Sequence, residues 1–125
     1  MSKIFRQRLQ SFRHAFSGIF YLLGREPNYI IHTIAAILVI AAGFVFSVTR
    51  AEWIILVLTI GIVMATEALN TSIEKICDRF LTEKDDQVKI IKDAAAAAVL
   101  IVSICAAIVG VIVFLPYVLQ LFRDQ

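Results

Sequence analysis

Residues 53–78 have the sequence WIILVLTIGIVMATEALNTSIEKICD, which begins as an apolar run and ends in polar residues. The apolar part is long enough for a helix that crosses a bilayer, which takes about 20 residues. Trp53 stands at its start, and tryptophan favours the boundary between lipid headgroups and hydrocarbon. We therefore predict a transmembrane helix over residues 53–73.

Two other apolar runs, residues 30–49 and residues 94–117, are also long enough to cross a bilayer. The polar link Arg50-Ala51-Glu52 is so short that the first two helices must be antiparallel. The third run reaches Pro116 and Tyr117, where proline interrupts helical hydrogen bonding and tyrosine suits the membrane interface. We expect three transmembrane helices, the last ending near Pro116.

The composition supports a membrane protein of one domain. Of the 125 residues, 60% are apolar and 18% are charged, which is too apolar for a soluble monomer of this size. The net charge of +2 is small, and basic residues do not alternate with exposed aromatic ones, so nucleic acid is excluded as a partner. The spacing of Cys77 and Cys105 fits neither a zinc site nor a redox motif, so both are interpreted as packing residues.

The N-terminal segment, residues 1–28, has apolar side chains at near-helical spacing with basic residues on the other face, which predicts an amphipathic surface helix. A cleaved signal peptide is the competing interpretation, but basic charges continue to Arg25 and the long apolar run starts too late. The predicted fold is thus an all-α membrane protein, with a surface helix and three transmembrane helices in a single domain over residues 1–125.

Basic residues predict the orientation. Five precede the first span and five lie between the second and third, whereas only Arg50 and Arg123 lie on the other side. Lysine and arginine are retained on the cytoplasmic side during insertion. We expect a cytoplasmic N-terminus and an external C-terminus.

Four polar residues share one face of the second span near its cytoplasmic end: Glu67, Asn70, Glu74 and Asp78. Glu67 lies about 21 Å along the helix from Trp53, inside a hydrocarbon layer of about 30 Å. An acidic residue at a helix centre costs about 2.5–3.5 kcal/mol there, so it needs a protein-lined or watery cavity. Hydrogen bonds between helices would explain one such residue, but four stacked ones favour a functional site.

Charged residues flank this face on both sides. Glu26 precedes Pro27, which ends the surface helix, and Lys92-Asp93 precedes the alanine run of the third span. Read conservatively, Asp93 caps that helix and Lys92 reaches the interface. Together the three segments would bring carboxylates suited to magnesium and a lysine suited to phosphate to one surface, which is typical of phosphoryl transfer. The chain has no glycine-rich phosphate loop and no soluble-kinase signature.

The motifs resemble those of the small bacterial membrane kinases that include diacylglycerol kinase and undecaprenol kinase. The likeness covers most of the chain, and the block Glu67-Ala68-Leu69-Asn70-Thr71-Ser72-Ile73-Glu74 is its most specific part. The other matching motifs are Ser11-Phe12 with Ala15 and Gly18-Ile19, Glu26-Pro27-Asn28 with His32, Asp78, and Lys92-Asp93 with Ala98-Val99-Leu100.

The resemblance implies a homotrimeric lipid kinase of the bacterial inner membrane that uses Mg²⁺ and ATP to phosphorylate a primary hydroxyl. It implies that Glu67 is the general base, that Asn70 orients Glu67 or the substrate, and that Glu26 and Glu74 bind magnesium. Implied nucleotide contacts are Arg6, Gln7, His14, Glu83, Lys84, Asp85, Lys92 and Asp93. Implied lipid contacts are Ser11, Gly18, Asn28 and Glu67.

The acceptor remains open between two lipids. The motifs Glu26-x-Asn28 with His32 and Asn70-Thr71 are similar to the undecaprenol kinase branch, which favours undecaprenol over diacylglycerol. Gln10 and Lys84-Asp85 depart from the family pattern and weaken the implied nucleotide contacts nearby. An alternative of another class is a non-enzymatic membrane subunit or small transporter in which Glu67 relays protons.

Overall fold

The computed structural model describes residues 3–81 and 85–123, which form four α-helices. They are α1 (Lys3–Arg25), α2 (Pro27–Val45), α3 (Arg50–Phe80) and α4 (Asp86–Arg123). Helix α3 packs along α4 and against α2, and α1 contacts α2. The all-helical architecture expected from the sequence is confirmed for these residues.

Helices α2, α3 and α4 are each long and apolar enough to cross a membrane. Many of their large apolar side chains face outward, among them Leu38, Leu58 and Ile112, whose exposed fractions are 64%, 60% and 67%. Exposed apolar surface of this extent is unstable in water and is normal against lipid. The protein is a membrane protein.

The junction between α1 and α2 lies at Glu26, as predicted. The backbone of Glu26 is extended and Pro27 occupies the first turn of α2. Proline disfavours helical backbone in the residue before it, and its own fixed φ suits a helix start. The break places the Glu26 side chain beside the end of α3.

The connection between α2 and α3 differs from the expectation. Residues 50–52 were predicted to be a link, but α3 already begins at Arg50. The Thr49 hydroxyl accepts a hydrogen bond from the Glu52 backbone N–H at 3.3 Å, and a Glu52 carboxylate oxygen accepts one from the Thr49 N–H at 2.7 Å. This reciprocal capping box satisfies donors at the helix start, which explains why the polar residues are helical.

Helix α4 corrects two further expectations, because it begins before Asp93 and continues past Pro116. Asp85 stabilises its start, since an Asp85 carboxylate oxygen accepts a hydrogen bond from the Gln87 backbone N–H at 2.9 Å. Asp93 therefore lies inside the helix and is not its cap. Proline is tolerated within membrane helices when neighbouring groups compensate for the lost backbone hydrogen bond.

A small core closes the bundle at the end that carries the α2–α3 connection. Val48, Leu56 and Val113 are buried there. The Tyr117 hydroxyl donates a hydrogen bond to Glu52 at 2.7 Å and so ties α4 to the start of α3. The charged residues of the candidate site lie at the opposite end of α3, outside this apolar core.

Gly43→Ala is expected to destabilise the fold. A Cβ atom at Gly43 would lie 2.7 and 2.9 Å from ring atoms of Trp53, which is closer than real Cβ contacts. Overpacking of this kind typically costs about 1–3 kcal/mol. Gly61→Ala is the matched control, because a Cβ at Gly61 meets no atom within 4 Å. Unfolding of the purified protein in SDS, followed by circular dichroism, should show reduced stability for G43A alone; equal stability of both variants would refute the close approach.

Candidate functional site

The buried polar residues of the described chain lie on one stretch of α3. Glu67, Asn70 and Thr71 have exposed fractions of 2%, 4% and 4%. Burial of a carboxylate is costly unless other groups compensate. An ionisable side chain buried at membrane depth is costly and needs polar or charged neighbours.

Glu67 lies within electrostatic range of three other site groups. These are His32 on α2, Glu74 on α3 and Glu26 at the α1–α2 junction. Glu26 therefore lies near the polar face of α3, where Lys75 also contacts it.

Asn70 and Glu74 are joined by a hydrogen bond along the helix. The Asn70 side-chain N–H donates to a Glu74 carboxylate oxygen at 3.1 Å. The Asn70 carbonyl oxygen is buried and has no hydrogen-bond partner among the described residues. Asn70 therefore positions the Glu74 carboxylate, and its own carbonyl oxygen has an unused acceptor capacity.

An ion pair that the sequence analysis did not identify lies beside these residues. The Lys75 ammonium lies 2.9 Å from a Glu26 carboxylate oxygen and 5.7 Å from the centre of the Tyr21 ring. Lys75 directly follows Glu74, but nothing in the local sequence relates it to Glu26 or Tyr21, which are far away along the chain. The contact depends on how α1 and α3 meet.

A second ion pair connects α3 with α4. The Lys92 ammonium donates a hydrogen bond to an Asp78 carboxylate oxygen at 2.7 Å. Lys92 also lies within electrostatic range of Glu74. The pair is partly exposed, so Lys92 remains accessible from the aqueous side.

The α1 residues that the resemblance implicates are not drawn into this cluster. No residue of α1 is buried, and the Ser11 hydroxyl donates to the Gln7 carbonyl of its own helix at 3.1 Å. Asn28 and Asp93 are exposed and Asp85 caps α4, while Glu83 and Lys84 lie outside the described residues. The resemblance implicates four other residues of α1, and all four are exposed: Arg6, Gln7, His14 and Gly18.

A largely apolar cavity of about 300 Å³ adjoins the site between α2, α3 and α4. Its lining includes His32 on α2 and, one turn before Glu67 on α3, Val63 and Met64, so the cavity adjoins that turn of α3. The walls include Ala35, Leu56 and Gly110. Because the walls are mainly apolar, a hydrocarbon chain could occupy such a cavity with little loss of hydration.

The site offers few oxygen donors to a metal ion, and magnesium is the ion that such a set could fit. Among residues 3–81 and 85–123, no three histidine, cysteine or acidic side chains are grouped so as to hold a metal by themselves. Magnesium commonly takes only one or two protein carboxylates and completes its shell with waters and substrate phosphates. Glu26 and Glu74 are the two carboxylates that lie near the buried Glu67, and Glu26 already contacts the Lys75 ammonium.

Fold and site together define a polytopic helical membrane protein with an acidic site at one end of its bundle. The profile of the prokaryotic diacylglycerol kinase family matches residues 13–114. This chain belongs to that family, as the sequence motifs predicted, and is a lipid kinase.

Two curated relatives carry more specific names. An undecaprenol kinase of Bacillus subtilis (strain 168) is 37% identical over 107 residues, which cover 86% of this chain and 87% of the relative. A diacylglycerol kinase of Synechocystis sp. is 38% identical over 114 residues, which cover 90% of this chain and 65% of the relative. Both names are consistent with a lipid kinase, and they differ in the lipid.

Proposed function

We propose that this protein transfers the γ-phosphoryl group of ATP to the primary hydroxyl of undecaprenol and produces undecaprenyl phosphate. The observation that carries this proposal is the burial of Glu67 beside Glu26 and Glu74 at the polar end of a membrane helix. The similarity to the Bacillus relative over nearly its whole length supports undecaprenol as acceptor. The similarity to the Synechocystis relative supports diacylglycerol as the second candidate.

Glu67 is the proposed general base. An alcohol is a poor nucleophile until its proton is removed, and a carboxylate shielded from bulk water holds a proton more strongly than an exposed one. The hydroxyl proton passes to Glu67 while the hydroxyl oxygen bonds to the γ-phosphorus. The bond between that phosphorus and the bridging oxygen of ADP breaks, and ADP leaves.

Glu26 and Glu74 are the proposed holders of Mg²⁺, which would offset charge on the transferred phosphoryl group. The hydrogen bond from Asn70 orients the Glu74 carboxylate for this role. Lys92 is the proposed phosphate contact, and Asp78 positions its ammonium. The other proposed nucleotide contacts are Arg6, Gln7, His14, Glu83, Lys84, Asp85 and Asp93.

The lipid acceptor would approach from the bilayer. The cavity beside His32 supports a site for part of its hydrocarbon chain, because its walls are mainly apolar and it adjoins the turn of α3 before Glu67. Its hydroxyl would then reach the base from the membrane side, while the nucleotide arrives from the side of Lys92. Ser11, Gly18 and Asn28 are proposed as further lipid contacts.

The proposed assembly is a homotrimer in the bacterial inner membrane, with a cytoplasmic N-terminus and an external C-terminus. Three spans offer little surface with which to enclose both a lipid and a nucleotide. In one subunit the side chains of Lys92 and Asp78 are 36% and 52% exposed, which is consistent with a neighbouring subunit completing the nucleotide side. Basic residues on both sides of the polar face support the orientation.

An acceptor panel tests the proposal. Undecaprenol and diacylglycerol would be compared in mixed micelles with labelled ATP and Mg²⁺, and the measured quantity is kcat/KM for each lipid. We expect the higher value with undecaprenol. A higher value with diacylglycerol would select the second candidate, and transfer to neither lipid would contradict both acceptor assignments.

A further inference from the structure

We propose that Lys75 is a built-in counter-cation for Glu26, which a divalent cation must displace before Glu26 can bind it. This inference rests on the proposed function, in which Glu26 is a magnesium ligand. Lys75 would thus set the metal concentration at which the site loads, without taking part in phosphoryl transfer.

The ammonium contacts the carboxylate that would have to bind the metal. Lys75 Nζ lies 2.9 Å from Glu26 Oε1, a direct ion-pair distance, and the Glu26 side chain is only 18% exposed. The ammonium also lies over the Tyr21 ring, 5.7 Å from its centre, within the range of a cation–π contact. Glu26 and Tyr21 both lie outside α3, and together they hold the Lys75 ammonium in place.

Electrostatics makes Lys75 and the metal competitors. Two cations on one carboxylate repel each other, and the repulsion is stronger near a low-dielectric bundle than in bulk water. Without metal, Lys75 offsets negative charge where Glu26, Glu74 and Glu67 come together. The ion pair therefore opposes metal binding to the same carboxylate.

The lysine is also well placed to leave. Its side chain is 49% exposed, so its ammonium can regain water when the metal arrives. A lysine ammonium is strongly hydrated and sits on a flexible stem, unlike an arginine fork fixed by paired hydrogen bonds. Displacement thus needs no movement of α3.

Lys75→Met provides the test, because it removes the charge and keeps an apolar stem next to Tyr21. Binding of Mn²⁺ to the purified full-length protein in micelles, with a non-hydrolysable ATP analogue, is measured from the electron paramagnetic resonance signal of free Mn²⁺. We expect the dissociation constant to fall about fivefold, as for the loss of a partly exposed ion pair. K75R retains the charge on a fork that pairs with carboxylates more rigidly, so it should bind Mn²⁺ no more tightly than the unmodified protein.

Lys89→Met is the matched control, since it removes an equal charge from an exposed position on α4. Equal changes in K75M and K89M would show a long-range charge effect and overturn the inference, as would weaker Mn²⁺ binding in K75M. Glu26→Gln separates this failure from that of the proposed function. If E26Q binds Mn²⁺ as the unmodified protein does, the metal assignment itself is wrong; if E26Q binds weakly while K75M equals K89M, only the role of Lys75 is wrong.

Discussion

Glu67→Gln is expected to abolish detectable phosphoryl transfer to the lipid while the helical fold persists. Glutamine has nearly the same shape as glutamate, so packing around the buried position is conserved, but its amide cannot accept the hydroxyl proton. A positioned general base typically contributes about 10²–10⁴-fold to a rate. The measurement is the initial rate of lipid phosphorylation at saturating ATP, Mg²⁺ and lipid, with circular dichroism as the check on folding.

Thr66→Val is the control for this variant. Thr66 precedes Glu67 on α3, and its hydroxyl donates to the Ile62 carbonyl of its own helix at 2.8 Å. Valine has the same shape and removes only that hydroxyl, so T66V should retain activity within about twofold, as expected for a substitution that removes no interaction with the reacting groups. Normal turnover by E67Q would eliminate Glu67 as the base, and equal loss in both variants would indicate damage to the helix.

Glu74→Gln is expected to reduce turnover by about 10²-fold or more and to weaken Mn²⁺ binding in parallel, since removing a stabiliser of transition-state charge has effects of this size. The glutamine carbonyl can still accept the hydrogen bond that Asn70 donates, so the local packing is preserved. What disappears is the negative charge that would balance the metal. Initial rates across a magnesium titration and Mn²⁺ binding by electron paramagnetic resonance are the two measurements.

Asp86→Asn serves as the comparison, because it removes an equal charge from an exposed residue in the first turn of α4. We expect D86N to leave both the magnesium requirement and the maximal rate within about twofold, as for most surface substitutions. If E74Q turned over normally at every magnesium concentration, Glu74 would not be a metal ligand.

The helices could be predicted from the sequence because their signals are local. An apolar run of about 20 residues needs a membrane whatever packs beside it, and the Glu26-Pro27 step ends a helix through the clash that proline imposes on the preceding residue. The family assignment was likewise accessible, because it rests on short motifs such as the block from Glu67 to Glu74. These predictions require no knowledge of which helices touch.

The helix ends were less well predicted, although two of the missed signals are also local. Thr49 and Glu52 form the Thr-x-x-Glu pattern of a capping box, which would have placed Arg50 inside α3. Asp85 was a candidate cap closer to the start of α4 than Asp93. The continuation past Pro116 is different, since proline is tolerated there only because of the surroundings of the helix.

The sequence by itself determined three apolar helices, a helical N-terminal segment and a polar face on α3, because each depends on residues close together in the chain. Only the tertiary structure decided that Glu67 is buried, that Lys75 neutralises Glu26 and that Lys92 reaches Asp78. The physical reason is that charge pairing and burial depend on distances between helices. Those distances follow from how α1, α2 and α4 pack around α3, which a pattern along the chain does not contain.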